Sequence, residues 1–342
     1  MKPLRFAVIG CGFWSQFQIA AWKELEGVEC VAAYNRTTSK AKAIADRFGI
    51  PKVFEDPEEM IRTVRPDFVD IITDVDTHAR YVELAAKYKV AAICQKPMAP
   101  SLAIAQKMLA GARAAGIPLL IHENWRWQHP LRQFKAELDK GELGQCFRAR
   151  VTYSTSFPVF DNQPFLRDVE QFILADIGSH IFDATRFLFG DARTLYCRTS
   201  QVAKGIRGED VATAMIGTAS GSTVTCEMSY ASRLEHERFP QTFVLAECEN
   251  GSLELGCDYW LRKTDRRGTL SWRCPPPRHA WADPAYDVVH ASILECNRDL
   301  LGALQGRKKA ETDAEDNIQT VRLVAASYES ARSGQMVDMG KF

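Results

Sequence analysis

Short apolar or β-branched runs alternate with helical patterns over the first third of the chain, and this alternation restricts the fold more than any other sequence feature. Such runs suit a sheet that is buried on both faces. Glycine stands just past several helical segments, as at Gly49 and Gly116, where it can end a helix. The alternation predicts an α/β fold with a doubly wound, parallel Rossmann sheet. The predicted strands are 5–9, 28–34, 68–73, 90–94 and 118–121, and the predicted helices are about 13–25, 38–48, 57–64, 76–88 and 101–115.

The pattern changes after Asn124, where a second, α+β domain is expected to begin. Residues 193–272 alternate with period two and contain no helical segment, which is typical of a large open, mostly antiparallel sheet. We therefore predict two domains, 1–123 and 124–342. The remaining predicted elements of the second domain are helices at about 130–140, 170–189, 285–304 and 313–332, strands near 146–155, and a loop at 157–167.

Composition narrows the classes of partner. The chain has 342 residues, enough for two domains at roughly 100–200 residues each. Its 43 basic and 43 acidic side chains cancel, which argues against a nucleic-acid or anionic-membrane partner. No run approaches the roughly 20 apolar residues of a membrane span, and the N-terminus does not resemble a signal peptide. The ten cysteines form no Cys-x-x-Cys pair and no zinc-type cluster, so we expect reduced thiols, a cytoplasmic location and no metal site.

A glycine-rich turn follows the first strand and opens the first helix. Gly10 and Gly12 are followed by Phe13, Trp14 and Ser15, and the serine stands where a dinucleotide fingerprint has its third glycine. Gly10 permits the tight turn, and Gly12 lets backbone amides approach phosphates at the helix N-terminus. The position of this turn at the start of a β-α-β unit predicts a dinucleotide site, against the alternative of a plain strand-to-helix turn.

The end of the second predicted strand bears on the choice of dinucleotide. NAD enzymes usually carry Asp or Glu there to hold the ribose 2'-hydroxyl. This chain has Asn35 and Arg36 instead, and the arginine could stack on adenine or pair with a 2'-phosphate. The predicted cofactor is therefore NAD or NADP. The alternative for Arg36 is an ordinary surface arginine.

Lys96 follows the buried strand 90–94, at the strand end where doubly wound sheets bind their ligands. Pro97 restricts the backbone beside it.

On the predicted helix 170–189, a spacing of about 100° per residue places Asp176, His180 and Asp183 on one ionisable stripe. Burying such a stripe is costly unless its members pair or serve a site. The alternative for Lys96 is a solvated surface lysine, and the alternative for the stripe on the helix is a structural Asp–His pair.

Five short motifs follow one another along the chain: Gly10-x-Gly12, Lys96-Pro97, Asn124-x-Arg126, Asp176-x-Gly178-x-His180, and Tyr328-x-Ser330-Ala331 in the closing helix. In this order they resemble the Gfo/Idh/MocA oxidoreductase family, the group of glucose-fructose oxidoreductase and inositol dehydrogenase. The resemblance covers nearly the whole chain. It implies an NAD(P)-dependent dehydrogenase of sugars or polyols, with an NAD(P)-binding first domain and a second domain for substrate and oligomer contacts.

The resemblance also implies the site residues. Lys96, Asp176 and His180 would form the catalytic set and would contact the substrate. The implied cofactor-binding residues are Gly10, Gly12, Phe13, Trp14, Asn35, Arg36, Thr73, Asp74, His78, Gln95 and Lys96. The chain departs from the family at Ser15, at Gln95, where members usually carry Glu, and at Asp74 and Asp76, which replace the usual Pro and Asn.

A sugar hydroxyl needs a nearby base to lose its proton at neutral pH, and such a base contributes about 10²–10⁴-fold in rate. We assign His180 as general base, oriented by Asp176, with Lys96 stabilising the developing alkoxide. In the reverse direction His180 would protonate the carbonyl that is reduced. The competing assignment has Lys96 accept the proton while His180 orients.

The second domain should hold a polyhydroxylated substrate. The loop 157–167 interleaves aromatic rings with short hydrogen-bonding side chains, and Arg126 lies between two tryptophans. Segments 124–128 and 160–165 resemble those of family members that oxidise the branched pentose apiose. The predicted substrate-binding residues are Lys96, Arg126, Phe160, Asp161, Asn162, Arg167, Asp176 and His180.

Two alternatives to a sugar dehydrogenase remain open. The first is a sensor or corepressor on the same fold, which binds dinucleotide without turnover. The second is another enzyme on these two domains, either biliverdin-reductase-like or a member that uses NAD transiently to cleave a glycosidic bond. The expected partners are a small sugar or polyol and further copies of the chain, because the apolar exposed face of the second sheet favours a homodimer or homotetramer.

Overall fold

The computed structural model describes residues 2–235 and 239–342, and the side chain of Asn162 lies outside this description. The chain forms two sheets, one of six strands and one of nine. The first is parallel throughout and the second is mostly antiparallel, which confirms the predicted fold class.

The first sheet has the strand order β3-β2-β1-β4-β5-β6 of a doubly wound Rossmann fold. All predicted strands of this part are present, and the two-residue β3 was not predicted because it is too short to show a period. The strands are β1 (Leu4–Ile9), β2 (Val28–Tyr34), β3 (Val53–Phe54), β4 (Phe68–Ile71), β5 (Ala91–Gln95) and β6 (Leu119–His122). The helices are α1 (Ser15–Lys23), α2 (Thr38–Phe48), α3 (Pro57–Val64), α4 (His78–Lys87) and α5 (Leu102–Ala115).

The second sheet has the order β14-β13-β12-β11-β7-β10-β9-β8-β15. Its strands are β7 (Cys146–Ser154), β8 (Ala192–Ser200), β9 (Val211–Thr218), β10 (Thr223–Ser229), β11 (Phe243–Cys248), β12 (Gly251–Leu255), β13 (Trp260–Asp265), β14 (Gly268–Arg273) and β15 (Val337–Asp338). The pair β7–β10 is parallel. The remaining helices are α6 (His129–Asp139), α7 (Val159–Asn162), α8 (Ser179–Phe189), α9 (Asp287–Leu304) and α10 (Ala314–Ser333).

One face of the nine-stranded sheet is buried and the other is exposed. On β9, Ala214 and Ile216 point into the core, whereas Thr213 and Met215 are exposed. The exposed face also carries charged cross-strand pairs, such as Arg148 with Glu247. It is therefore less apolar than the sequence suggested.

The chain divides into two compact units, and the last third contributes to both. The backbone N–H of Ile121 on β6 donates to the carbonyl oxygen of Thr312 at 2.8 Å, and the Thr312 hydroxyl donates to the carbonyl oxygen of Ile121 at 2.7 Å. This pairing explains why a segment that the sequence assigned to the second domain packs in the first unit. The first unit runs up to Asn124 and adds Ala280–Ala282 and Ile293–Val321, and the second comprises Trp125–His279, Asp283–Ser292 and Arg322–Phe342.

Within the described residues, no helix is long and apolar enough to cross a membrane. The same part of the chain contains no group of three or more His, Cys, Asp or Glu side chains that could hold a metal ion. All ten cysteines are free thiols.

Candidate active site

The loop between β1 and α1 is crowded at one glycine and open at the other. Gly10 has a φ of +103°, and a Cβ atom there would lie 2.2 Å from the carbonyl oxygen of Ile72. Any side chain would therefore collide with the main chain. A Cβ atom on Gly12 would have no described atom within 4 Å, so the backbone is open to a ligand at this point.

Helix α1 presents its first turn to the loop, and no described side chain caps that turn. Ser15 is buried, and its hydroxyl donates to the carbonyl oxygen of Gly12 at 2.7 Å. The small serine therefore allows close packing where a third glycine would stand. Phe13 and Trp14 lie beside the loop with exposed fractions of 64% and 46%.

Asn35 connects this loop to the end of β2. Its Oδ1 accepts a hydrogen bond from the backbone N–H of Cys11 at 2.9 Å, and its Nδ2 donates to the carbonyl oxygen of Thr37 at 3.0 Å. Arg36 beside it is exposed. The strand end thus offers an amide and a guanidinium, and the choice between NAD and NADP stays open.

His78 links the segments that follow β4 and β5. Its ring nitrogens lie 3.1 Å from the carbonyl oxygen of Pro97 and 3.0 Å from that of Thr73. Burial lowers the pKa of His78, against backbone hydrogen bonds that raise it, and a neutral ring donates to only one of the two carbonyl oxygens. Asp74 is exposed beside Thr73. A direct contact of these residues with the cofactor stays a prediction.

Lys96 directly follows β5 and is half-buried. Its backbone N–H donates to Oε1 of Gln95 at 3.0 Å. Because all six strands are parallel, their carboxyl ends lie at one edge of the sheet. The structure therefore brings the predicted residues Gly10, Thr73 and Lys96 to the same edge, after β1, β4 and β5 respectively.

The loop and this edge fit a dinucleotide. The open backbone at Gly12 and the uncapped first turn of α1 supply amide donors and a positive helix end for a pyrophosphate. Asn35 and Arg36 stand where the adenosine ribose would be held. Bound NAD(P)⁺ would supply the hydride acceptor, and these residues would only hold and orient it.

In the second unit, a π-helical turn, Leu174–Gly178, carries Asp176 and precedes α8. The sequence predicted a regular helix from about residue 170, and this prediction was wrong in its first turns. The carboxylate of Glu209 accepts hydrogen bonds from the backbone N–H groups of Phe172 and Leu174 at 3.3 and 3.1 Å. The carboxylate thus satisfies the donors where the helix begins, as an N-terminal cap does. π-Helical turns are frequent at functional sites.

Tyr328 on α10 supports this arrangement. Its hydroxyl donates to Oε1 of Glu209 at 2.7 Å. Burial, with Glu209 next in effect, raises the pKa of Tyr328 far above its usual range, so the phenol keeps its proton. The family motif pointed to Tyr328, whereas Glu209 was missed because no local pattern reveals its distant contacts.

His180 lies in the first turn of α8 and stacks on Trp125, with 4.2 Å between ring centroids and 22° between ring planes. The indole N–H of Trp125 donates to the hydroxyl of Thr242 at 2.9 Å. Only 5% of His180 is exposed. The imidazole is therefore held in one orientation by packing.

Tyr230 lies near Asp176 and contacts a second tyrosine, Tyr153. Burial raises the pKa of Tyr230 well above its usual value, and the neighbouring Tyr153 and Asp176 add to the effect. The rings of Tyr153 and Tyr230 lie 5.9 Å apart, edge to face. Asp176 therefore shares its surroundings with phenol groups that the sequence analysis did not select.

Arg126 and Asp183 form a buried bidentate pair. Arg126 donates through Nε to Oδ2 at 2.7 Å and through one terminal nitrogen to Oδ1 at 2.6 Å. Their side chains are 6% and 0% exposed. Asp183, which the sequence placed on one ionisable stripe with Asp176 and His180, thus forms an ion pair with Arg126. The pair gives Arg126 a structural role, and its contact with substrate stays a prediction.

The predicted substrate loop contains α7 and a short 3₁₀ turn, Pro164–Arg167. Phe160 packs on Phe172 with 5.3 Å between centroids, and the Arg167 guanidinium lies 4.7 Å from the centre of the Phe160 ring. Asp161 is exposed. The prediction for Asn162 falls on a side chain outside the described part of the structure.

Comparisons with known proteins agree with this architecture. Residues 4–122 match a family model described as "Oxidoreductase family, NAD-binding Rossmann fold", and residues 131–254 match the "GFO/IDH/MocA C-terminal domain". A D-apiose dehydrogenase of Paraburkholderia graminis is 41% identical over 99% of this chain and 90% of its own length. A second D-apiose dehydrogenase, of Rhizobium rhizogenes, is 38% identical over 99% of both chains.

A solved structure shares the whole fold. An oxidoreductase from Agrobacterium radiobacter, in complex with NAD⁺, L-tartaric acid and magnesium, superimposes with a TM-score of 0.97 at 38% identity, over 99% of each chain. Fold, phosphate loop and relatives together define an NAD(P)-dependent oxidoreductase with a Rossmann domain. Within that class, the chain belongs to the Gfo/Idh/MocA family, which confirms the resemblance seen in the motifs.

Proposed function

We propose that this chain oxidises a hydroxyl group of a sugar to a carbonyl, with NAD(P)⁺ as hydride acceptor, and that D-apiose is its substrate. The observation that carries the proposal is the 41% identity over 99% of the chain to a D-apiose dehydrogenase. The buried, oriented imidazole of His180 near Asp176 supports the same reaction type.

In the proposed mechanism, Nε2 or Nδ1 of His180 accepts the proton of the reacting hydroxyl. Stacking on Trp125 keeps the ring in place, and an aromatic face favours the imidazolium that forms. Asp176 orients the imidazole, and the Lys96 ammonium stabilises the developing alkoxide. In the competing assignment Lys96 takes the proton. The pKa of Lys96, in place of that of His180, would then set the acidic limb of the pH–rate profile.

The experiment is a panel of sugars and polyols, run with NAD⁺ and with NADP⁺, in which absorbance of the reduced nicotinamide is followed. The proposal expects D-apiose to give the highest kcat/KM. Binding of cofactor without turnover would instead favour a sensor, and substrate cleavage without net reduced cofactor would favour transient use of NAD.

We also propose a two-fold dimer through the exposed face of the nine-stranded sheet, or a tetramer built from two such dimers. Met215, 51% exposed on β9, and the exposed Phe147 on β7 support an apolar contact on this face. Sedimentation at micromolar concentration tests it. A 38.4 kDa monomer would reject the proposal, whereas a dimer that Met215→Glu dissociates would support it.

A further inference from the structure

A fully buried carboxylate lies in the middle of the Rossmann sheet. Asp70 on β4 is 0% exposed. Its two oxygens accept hydrogen bonds from Nε2 of Gln18 at 2.8 and 2.9 Å, and Oδ2 also accepts from the indole N–H of Trp22 at 2.8 Å. A buried charge is costly unless hydrogen bonds compensate it, so a carboxylate at this position calls for an explanation.

The hydrogen bonds continue from Asp70 to the proposed catalytic lysine. With its Nε2 directed at Asp70, Gln18 presents Oε1 to Gln95, whose Nε2 donates to it at 2.7 Å. Gln95 in turn presents its Oε1 to the backbone N–H of Lys96 at 3.0 Å. Both oxygens of Asp70 face donors, so Gln18 must direct its amide nitrogen at them, and this orientation sets the direction of every later bond.

The Gln95 amide uses both of its N–H groups. The second lies 3.2 Å from Nδ1 of His122, whose Nε2 lies 3.0 Å from Oδ1 of Asn297. Both contacts require a neutral imidazole with its proton on Nε2. A carboxylate at position 95 would direct acceptors at Oε1 of Gln18 and at Nδ1 of His122.

We infer that Asp70, acting through Gln18 and Gln95, holds the main chain at Lys96 in place, so that Asp70 and Gln95 are positioning residues for this site. The inference rests on the proposed role of Lys96. It requires that an accepting carboxylate at position 70 be combined with a donating amide at position 95.

A double variant can exchange the carboxylate at position 70 with the amide at position 95. In the double variant, which combines Asp70→Asn with Gln95→Glu, the new amide at position 70 would donate to Oε1 of Gln18. The turned Gln18 amide would then donate to the carboxylate at position 95, and the Lys96 N–H would again find an acceptor. Each single change breaks the order of donors and acceptors between positions 70 and 95, whereas the double change reverses it. In both variants that carry Gln95→Glu, the contact with His122 needs a proton on Nδ1.

The test is a double-mutant cycle of wild type, Asp70→Asn, Gln95→Glu and the double variant. We expect each single change to lower kcat about tenfold or more. The double variant should return to within about threefold of wild-type kcat. Gln106→Glu makes the same chemical change at an exposed position of α5 and should have no effect.

The Gln95→Glu variant should also show a pH signature. Its carboxyl group or His122 must hold an extra proton in the folded state, which raises the folded pKa of that group. The stability that depends on this proton is present at low pH and lost as pH rises through the folded pKa. The melting temperature and kcat of this variant should therefore fall more steeply between about pH 6 and 9 than those of wild type.

Other titratable groups near Asp70 do not produce this signature. Burial, followed by the charge of Asp70, raises the pKa values of Cys30 and Cys94 far above this range. Burial raises the pKa of Asp70 to about 7, against the effect of the Trp22 and Gln18 hydrogen bonds. Asp70 therefore titrates within the tested pH range, and its contribution is measured in wild type and subtracted from the profile of Gln95→Glu.

Thermal unfolding separates this inference from the proposed function, because it needs no substrate. Non-additive recovery of both melting temperature and kcat supports the inference, and so does a double variant that folds when the singles do not. Additive losses, or a Gln95→Glu variant with wild-type kcat and pH profile, would overturn it. A wild-type protein that oxidises no sugar would count against the proposed function and would leave the melting-temperature cycle to decide the pairing.

Discussion

The imidazole of His180 lies nearly parallel to the indole of Trp125, with 4.2 Å between ring centroids. The hydrogen bond from Trp125 to Thr242 fixes the indole in turn. The orientation of the proposed general base is thus set by aromatic packing in addition to any polar contact.

Replacing His180 with alanine should lower kcat at least about 10²-fold, because the variant lacks a group to accept the substrate proton. Steady-state kinetics and a melting curve measure the effect and separate it from unfolding. Trp125→Phe, which keeps an aromatic face, should retain most of the rate. Near-normal turnover by His180→Ala would remove this residue from the mechanism.

Replacing Tyr328 with phenylalanine removes a buried hydrogen bond to Glu209. The free energy of unfolding should fall by about 1–3 kcal/mol, because a buried carboxylate loses one donor. The value of kcat should fall too, because Glu209 also holds the start of the turn that carries Asp176. Urea unfolding and kinetics check both effects. Tyr88→Phe, which removes a tyrosine hydroxyl that donates to Glu58 at 2.6 Å outside the buried core, is the matched control, and equal effects of the two changes would refute the assigned role.

The end of β2 predicts weak discrimination between cofactors. Asn35 cannot repel a 2'-phosphate, so both NAD and NADP should support turnover. Asn35→Asp should shift the preference toward NAD, and its carboxylate could still accept the Cys11 N–H. The ratio of kcat/KM values measures this. A wild-type preference for NAD above about 10³-fold, some 4 kcal/mol, would mean that another group excludes the phosphate.

The buried pair of Arg126 and Asp183 should matter for stability. Asp183→Asn leaves a buried guanidinium short of its counter-charge, which costs about 3–5 kcal/mol in the free energy of unfolding. Asp265→Asn is the matched control, because Asp265 pairs at 2.6 Å with Arg267, whose side chain is 85% exposed. It should cost under about 1 kcal/mol. Denaturant unfolding of both variants decides, and equal losses would contradict this account.

The parallel sheet was predictable because its evidence is local. A buried strand shows as an apolar run, and a helix end shows as a glycine such as Gly49 or Gly116. The tight turn at Gly10 could be read in the same way, since glycine alone fits beside Ile72. Lys96 could be assigned to the ligand-binding edge because it directly follows a strand.

The contacts that organise the candidate site could not be predicted in this way. Glu209 reaches Phe172 and Tyr328 across long stretches of sequence, and the glycine-rich segment around it reads as an ordinary turn. Gln95 showed only as a departure from the family. The order of donors and acceptors that explains its amide depends on Asp70, which lies on a neighbouring strand.

Steady-state oxidation of D-apiose by wild type and by Lys96→Ala tests the central claim most directly. Wild type should form reduced cofactor from D-apiose and NAD⁺ or NADP⁺. The variant should be slower in kcat by at least about 10²-fold, while it still binds the cofactor and keeps its melting temperature. No reduced cofactor from the wild-type protein, or near-normal turnover by the variant, would contradict the account.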